Sequence, residues 1–177
     1  MSSSQGGWCP HPATAPRPYH HWLTERGSLT RRLQARCKEF SVRDVRQQPG
    51  RPNKDEMKLV SVRGKELALV REVYLYCHEI PLVFAHSVLN RRSLRGPWRM
   101  LTRQGARSLG AALFSNPKVG RTPLYFKKLN RHHLLYRRAT RVLAAPPAHL
   151  WARRSVFLLQ GKPILVTEVF LPQVLEL

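Results

Sequence analysis

The sequence predicts an α+β fold in which one antiparallel β-sheet carries helices packed on it. Two hairpin-like segments, one over residues 66–89 and one over residues 155–171, predict the sheet. Helical periodicity is confined to separate blocks of the chain, of which residues 97–114 are the longest. A chain of 177 residues is also the usual size of one domain with a single core.

The two hairpins are the clearest elements. In the first, apolar side chains recur at every second position up to Cys77, His78-Glu79 forms the predicted turn, and residues 81–89 form the return strand. In the second, Gln160-Gly161-Lys162 forms the predicted turn between two apolar runs. Both patterns are typical of strands with at least one buried face.

The rest of the chain is less regular. Ser28, before a periodic apolar segment, predicts a capped helix start. A short strand is expected over residues 40–45, followed by a loop over residues 47–53, which contain two prolines and a glycine. Residues 122–143 fit two strands or a strand and a helix, and the pattern leaves both open.

The first 18 residues differ in composition from the rest. Residues 1–18 are rich in serine, glycine and proline, and such a segment buries too little surface to offset its ordering entropy. We therefore expect a disordered tail over 1–18, dispensable for folding and activity, and a folded domain over 19–177.

The charge balance restricts the class of partner. Lysine and arginine number 31 against 10 aspartates and glutamates, which gives a formal net charge of +21. This excludes an acidic metal cage and favours anionic partners: nucleic acid, anionic lipid, or a small carboxylate or phosphate.

The cysteines and the apolar runs predict the cellular setting. Cys9, Cys37 and Cys77 are too few and too widely spaced for a disulfide framework, and no CxxC pair suggests zinc. The sequence contains neither the ~18 consecutive apolar residues of a spanning helix nor a secretory signal. We expect a reduced, cytoplasmic protein without metal.

Two charged residues are predicted to face the core. Glu168 ends a stretch of 88 residues without an acid and shares a strand face with apolar residues. Arg71 likewise shares a strand face with apolar residues in the first hairpin. Buried charges need partners. Either Arg71 and Glu168 pair with each other or reach water at sheet edges, or they bind a ligand in a pocket, with Arg71 holding a carboxylate.

Three aromatic–basic clusters allow a different function. Residues 125–128, 136–138 and 151–154 combine rings for stacking with cations for phosphates, as nucleic-acid-binding proteins do. Strands whose aromatic residues face a core show the same sequence pattern, and no recognised nucleic-acid-binding signature accompanies these clusters. We therefore expect no nucleic-acid partner.

Several blocks resemble one known family. The chain is similar to chorismate pyruvate-lyase, which removes pyruvate from chorismate and leaves 4-hydroxybenzoate for ubiquinone biosynthesis. The resemblance covers residues 20–172 and implies an α+β fold, a small buried ligand pocket under flaps, and no metal or organic cofactor. Its blocks are His21-Trp22-Leu23, GSLTRRL (27–33), LVREVYLYC (69–77), PLVFAHSVL (81–89), SLGAALF (108–114), LWARRSVF (150–157) and GKPILVTEVFLP (161–172). We also expect a monomer.

The resemblance also implies site residues. Arg71 takes the place of the arginine that binds the ligand carboxylate, and Glu168 that of the acid near the ring oxygen. The backbone amide of Leu109 takes the place of a second carboxylate donor, and Leu29 that of a ligand-contacting methionine. Ser108 departs from the family pattern, which often has proline there.

A second hypothesis has the same fold but no catalytic activity. Effector domains of some bacterial transcription regulators share this fold and sense small molecules, so a non-catalytic ligand-sensing module is the alternative. The sequence shows no attached DNA-binding helix-turn-helix domain, and it retains Arg71 and Glu168.

Overall fold

A seven-stranded antiparallel sheet organises the molecule, which confirms the predicted fold class. The computed structural model describes residues 5–103, 105 and 107–177. The strand order is β1-β2-β3-β7-β6-β4, and β5 also pairs with β6. The strands are β1 (Phe40–Gly50), β2 (Ala68–Cys77), β3 (Ile80–Asn90), β4 (Gly120–Arg121), β5 (Tyr125–Asn130), β6 (His149–Leu159) and β7 (Lys162–Phe170).

Both predicted hairpins are present. The strands β2 and β3 meet at His78-Glu79, as expected. The strands β6 and β7 meet at a two-residue turn, Gln160-Gly161, in which both residues have positive φ angles, 50° and 70°. Turns of this kind match the twist of antiparallel strands and favour glycine.

The strand β1 is longer than the sequence predicts. It continues through residues 47–50, which we expected to begin a loop, and Pro49 pairs with Leu69. Because β1 is the edge of the sheet, the missing N–H of a proline is tolerated there. Over residues 122–143 the structure has a strand followed by a helix, which settles the open alternative.

Short helices cover both faces of the sheet. On one side, the front face, α1, α2 and α4 lie over the sheet, whereas α3 and α5 lie over the back face. No helix within the described residues has the length and hydropathy needed to cross a bilayer. The helices are α1 (Arg17–Leu23), α2 (Leu29–Gln34), α3 (Lys54–Met57), α4 (Leu109–Ser115) and α5 (Leu134–Ala139), with 3₁₀ turns at Gln5–Gly7, Arg91–Arg95, Arg99–Arg103, Thr140–Val142 and Pro172–Glu176.

The expected disordered tail is wrong for residues 5–18. Trp8 is only 2% exposed, and its indole N–H donates to Asp55 at 2.9 Å. Cys9 exchanges backbone hydrogen bonds of 2.9 and 2.8 Å with Phe126. The segment is ordered because the single tryptophan buries a large apolar area, which the average composition of the segment does not indicate. Residues 1–4 lie outside the described part of the chain.

Removing residues 1–16 is therefore expected to destabilise the protein. Trp8 loses its burial and its stacking on the Arg154 guanidinium, which lies 4.3 Å from the ring centroid. Because the segment lies at the end of the chain and outside the sheet, we expect a loss of about 1–3 kcal/mol, below the usual cost of deleting a core tryptophan. Urea unfolding measures it against a control that lacks only residues 1–4. Equal stabilities of the two truncations would restore the dispensable-tail hypothesis.

The prediction that the cysteines form no disulfide is also wrong. Cys37 and Cys77 form a disulfide with a Cα–Cα distance of 5.7 Å. The chain enters β1 just after Cys37, and β1 pairs with β2 so that Phe40 lies opposite Cys77. The bond thus depends on a strand pairing that the 40-residue separation of the two cysteines does not reveal.

A buried charge network lies on the back face. His86, fully buried, lies 2.9 Å from Glu72 through Nδ1 and 3.1 Å from Glu56 through Nε2. The Nε2 contact is an ion pair without good hydrogen-bond alignment. Arg138 adds a second cation to Glu72. Burial alone lowers the pKa of His86, but the two carboxylates outweigh it and raise the pKa to about 9.

Alkaline pH is expected to weaken the fold through His86. Because its pKa is raised on folding, the stabilisation is complete below the unfolded value of about 6.5 and is lost as the pH rises to about 9. Urea unfolding at pH 6, 7.5 and 9 measures the decline, and His86→Gln is expected to abolish that slope. Parallel pH profiles for the parent and His86→Gln would refute this role.

Candidate active site

A small cavity of about 40 Å³ lies on the front face, between the sheet and helices α2 and α4. Strands β2, β3, β6 and β7 supply its floor, and the start of α2 together with most of α4 supplies its roof. All four sequence-predicted site residues line it: Leu29, Arg71, Leu109 and Glu168. The structure thus brings together residues from four separate parts of the chain.

Arg71 reaches the cavity from β2. It is 5% exposed, and its guanidinium donates to the carbonyl of Arg107 at 3.0 Å and to Gln47 Oε1 at 3.4 Å. Among the described residues no carboxylate pairs with it, and burial lowers its pKa. A buried guanidinium with only neutral partners retains the capacity to bind an anion.

Glu168 reaches the same cavity from β7 but has a charged partner. Its Oε2 accepts a hydrogen bond of 2.5 Å from Nε of Arg153, which is only 1% exposed. The expectation that Arg71 and Glu168 pair with each other is therefore wrong. The strand β3 separates their strands, so the two backbones lie about 10 Å apart across the sheet.

Arg153 holds Glu168 in place. Its Nη1 donates to the backbone carbonyls of Trp22, Leu23 and Glu25, at 3.0, 3.2 and 2.7 Å. The guanidinium therefore joins the end of α1 to the carboxylate. With Nε and Nη1 both engaged by protein groups, Arg153 fixes the orientation of Glu168 in the cavity wall.

The two roof helices approach each other closely. Thr30 and Ser108 share a hydrogen bond of 2.6 Å between their hydroxyls, and a Cβ at Gly110 would lie 3.1 Å from Thr30 Oγ1. The Ser108 side chain also accepts from the backbone N–H of Ala111, as an N-cap does. The serine that departs from the family pattern thus caps α4 and joins it to α2.

The roof determines the size of the cavity. A volume of about 40 Å³ admits only a few water-sized molecules. The Thr30–Ser108 hydrogen bond directly joins the two helices that form this roof. Leu109 begins α4, and N–H groups in the first turn of a helix have no partner within the helix.

The aromatic–basic clusters do not form an open surface. Strand β5 buries Phe126, and the other two clusters also place ring or guanidinium groups inside the fold. Buried rings are not available for stacking on bases, so the core interpretation of these clusters is the better one. The buried members are Phe126, Tyr136, Trp151, Arg153 and Arg154.

Comparisons with known proteins agree on one family. The family described as chorismate lyase matches residues 11–176. A protein named probable chorismate pyruvate-lyase from Nitrosomonas europaea is 54% identical over 96% of each chain. Another of the same name, from Nitrosospira multiformis, is 55% identical over 100% of this chain and 99% of its own.

A solved structure supports the fold. The crystal structure of PhnF from Mycobacterium smegmatis superposes with a TM-score of 0.60 at 15% identity, over 84% of this chain and 65% of that one. At this identity the likeness extends to the architecture and not to the ligand or the reaction.

Proposed function

The chain belongs to the chorismate lyase family, and from that premise we propose that its front-face cavity converts chorismate into 4-hydroxybenzoate and pyruvate. The observation that carries the proposal is the cavity itself. A buried guanidinium that has no carboxylate partner among the described residues and an oriented carboxylate line the same small cavity, on separate strands. This arrangement suits a ring with a carboxylate at one end and a hydroxyl at the other.

Each site residue has a proposed role. Arg71 binds the ring carboxylate through its planar fork, and the backbone amide of Leu109 adds a second donor. Glu168 contacts the hydroxyl-bearing end of the ring, and Leu29 packs against the ring from the roof. Burial in the cavity strengthens each of these contacts because it limits the access of water.

The reaction balances without any co-reactant. The ring carbon that carries the hydroxyl loses its proton, and the bond from the neighbouring ring carbon to the enolpyruvyl oxygen breaks. The ring becomes aromatic, and the departing enolpyruvate takes up one proton at its methylene carbon to become pyruvate. Glu168 is the proposed acceptor of the ring proton, and orientation by Arg71 supplies much of the remaining rate enhancement.

A coupled assay tests the proposal against the ligand-sensing alternative. Purified protein is incubated with chorismate, pyruvate is followed through lactate dehydrogenase, and 4-hydroxybenzoate is followed by absorbance. The proposal predicts equal amounts of the two products, well above the spontaneous rate. Binding of chorismate with no product above that rate would favour the sensing module.

We propose a cytoplasmic monomer that supplies 4-hydroxybenzoate to ubiquinone biosynthesis. Because a reducing cytoplasm can open disulfides, we expect activity at the front-face cavity to survive reduction of the Cys37–Cys77 bond. Light scattering and assays with dithiothreitol test these two expectations.

A further inference from the structure

The roles of Arg71 and Glu168 leave one cavity-lining cation unused. Arg121, on β4, lines the front-face cavity and also an open groove of about 710 Å³ on the neighbouring surface. Its guanidinium thus lies where the cavity and the groove meet.

The side chain of Arg121 is held in place. Its Nε donates to the Ser155 hydroxyl at 2.8 Å, and its Nη1 donates to the carbonyl of Arg26 at 2.7 Å. The guanidinium also lies 5.3 and 5.0 Å from the ring centroids of Phe114 and Phe157, which line the cavity. These contacts fix its position without neutralising it.

Arg121 lacks a carboxylate partner among the described residues. Burial lowers its pKa to about 10, and the charge of Glu168 only partly opposes this, so the guanidinium stays protonated at neutral pH. Glu168 is already paired with Arg153. The cavity wall therefore presents two unneutralised cations, Arg71 and Arg121, which is the charge pattern that a ligand with two carboxylates would neutralise.

We propose that Arg121 binds the second carboxylate of the substrate, the one on the enolpyruvyl group that leaves as pyruvate. This inference rests on the proposed function and deepens it. Arg71 binds the carboxylate that remains in the product, whereas Arg121 binds the one that departs. Arg121 therefore determines the preference for a dicarboxylate ligand and contributes little to retention of the monocarboxylate product.

A matched ligand pair tests this assignment without any turnover. 3-(Carboxymethoxy)benzoate carries a ring carboxylate and, on an ether arm at the meta position, a second carboxylate. 3-Methoxybenzoate lacks the second carboxylate. In the parent protein we expect the dicarboxylate to bind more tightly. In Arg121→Gln its affinity should fall about 10- to 100-fold, the effect of losing a charged hydrogen-bonded pair, while that of 3-methoxybenzoate changes less than threefold.

Controls separate contact from general charge and from misfolding. Lys118→Gln removes an exposed cation three residues before Arg121 that lines neither the cavity nor the groove, and it should leave both affinities within threefold. Arg121→Lys keeps the charge and should retain part of the preference for the dicarboxylate. It replaces Arg121→Gln in the test if that variant does not fold. An equal change for both ligands in both Arg121 variants, or no change for either, would overturn the assignment. A parent that binds and discriminates but releases no pyruvate from chorismate would count against the proposed function alone.

Discussion

Glu168→Gln is expected to lower chorismate turnover by about 10²- to 10⁴-fold, because the amide cannot accept a proton from the ring. Affinity for 4-hydroxybenzoate should fall much less, since an amide still hydrogen-bonds the phenol. Stopped assays for pyruvate and equilibrium titration with the product measure the two quantities on the same variant.

The ion pair with Arg153 gives this variant a second, structural effect. Arg153 keeps its three backbone carbonyl acceptors, and the glutamine oxygen can still accept from Nε. The loss of stability should therefore be about 1–3 kcal/mol and below the ~3–5 kcal/mol of a buried charge left wholly unpaired.

A back-face variant provides the control for Glu168→Gln. Glu72→Gln also removes a paired carboxylate, whose partners are the buried His86 and Arg138 of α5, but it lies on the face opposite the cavity. It should lose stability and keep the turnover of the folded protein. Parental turnover in a folded Glu168→Gln protein, or equal losses of turnover in the two variants, would rule out the proposed role of Glu168.

Arg71→Ala is expected to weaken 4-hydroxybenzoate binding by about 10- to 100-fold, because the buried carboxylate of the ligand loses its only proposed cation. Arg71→Lys should not restore full affinity, since a single ammonium cannot reproduce the planar fork. Calorimetric titration with 4-hydroxybenzoate measures both variants.

Removing Arg71 should cost little stability. A buried guanidinium without a carboxylate partner is unfavourable for the fold, so Arg71→Ala should unfold at a urea concentration close to that of the parent. Arg46→Gln, an exposed cation on β1, is the charge-matched control and should bind product normally. Unchanged product affinity in Arg71→Ala would show that the carboxylate is bound elsewhere.

Strand alternation suffices to place Arg71 and Glu168 each on the apolar face of its own strand, because side chains on a strand alternate strictly between the two faces. To identify Arg153 as the partner of Glu168, the register of β6 and β7 is needed as well. The two-residue turn Gln160-Gly161 sets Arg153 directly opposite Glu168, whereas the three-residue turn that we predicted would set Arg154 there. A one-residue error in a turn changes which side chains face each other.

Other features depend on contacts between distant parts of the chain. The adjacent arginines 153 and 154 on one strand point to opposite faces, which is a local sign that at least one of them faces the interior. By contrast, the burial of Trp8 and the bond between Cys37 and Cys77 depend on elements 40 or more residues away. Composition and periodicity carry no information on such pairings.

A crystal structure of the parent protein with 4-hydroxybenzoate tests most directly whether the front-face cavity is the active site. The account predicts the ring beneath α2 and α4, with its carboxylate within hydrogen-bond distance of Arg71 and of the backbone N–H of Leu109, and its hydroxyl directed at Glu168. A product bound only in the outer groove, or bound in the cavity with its carboxylate away from Arg71, would contradict the account.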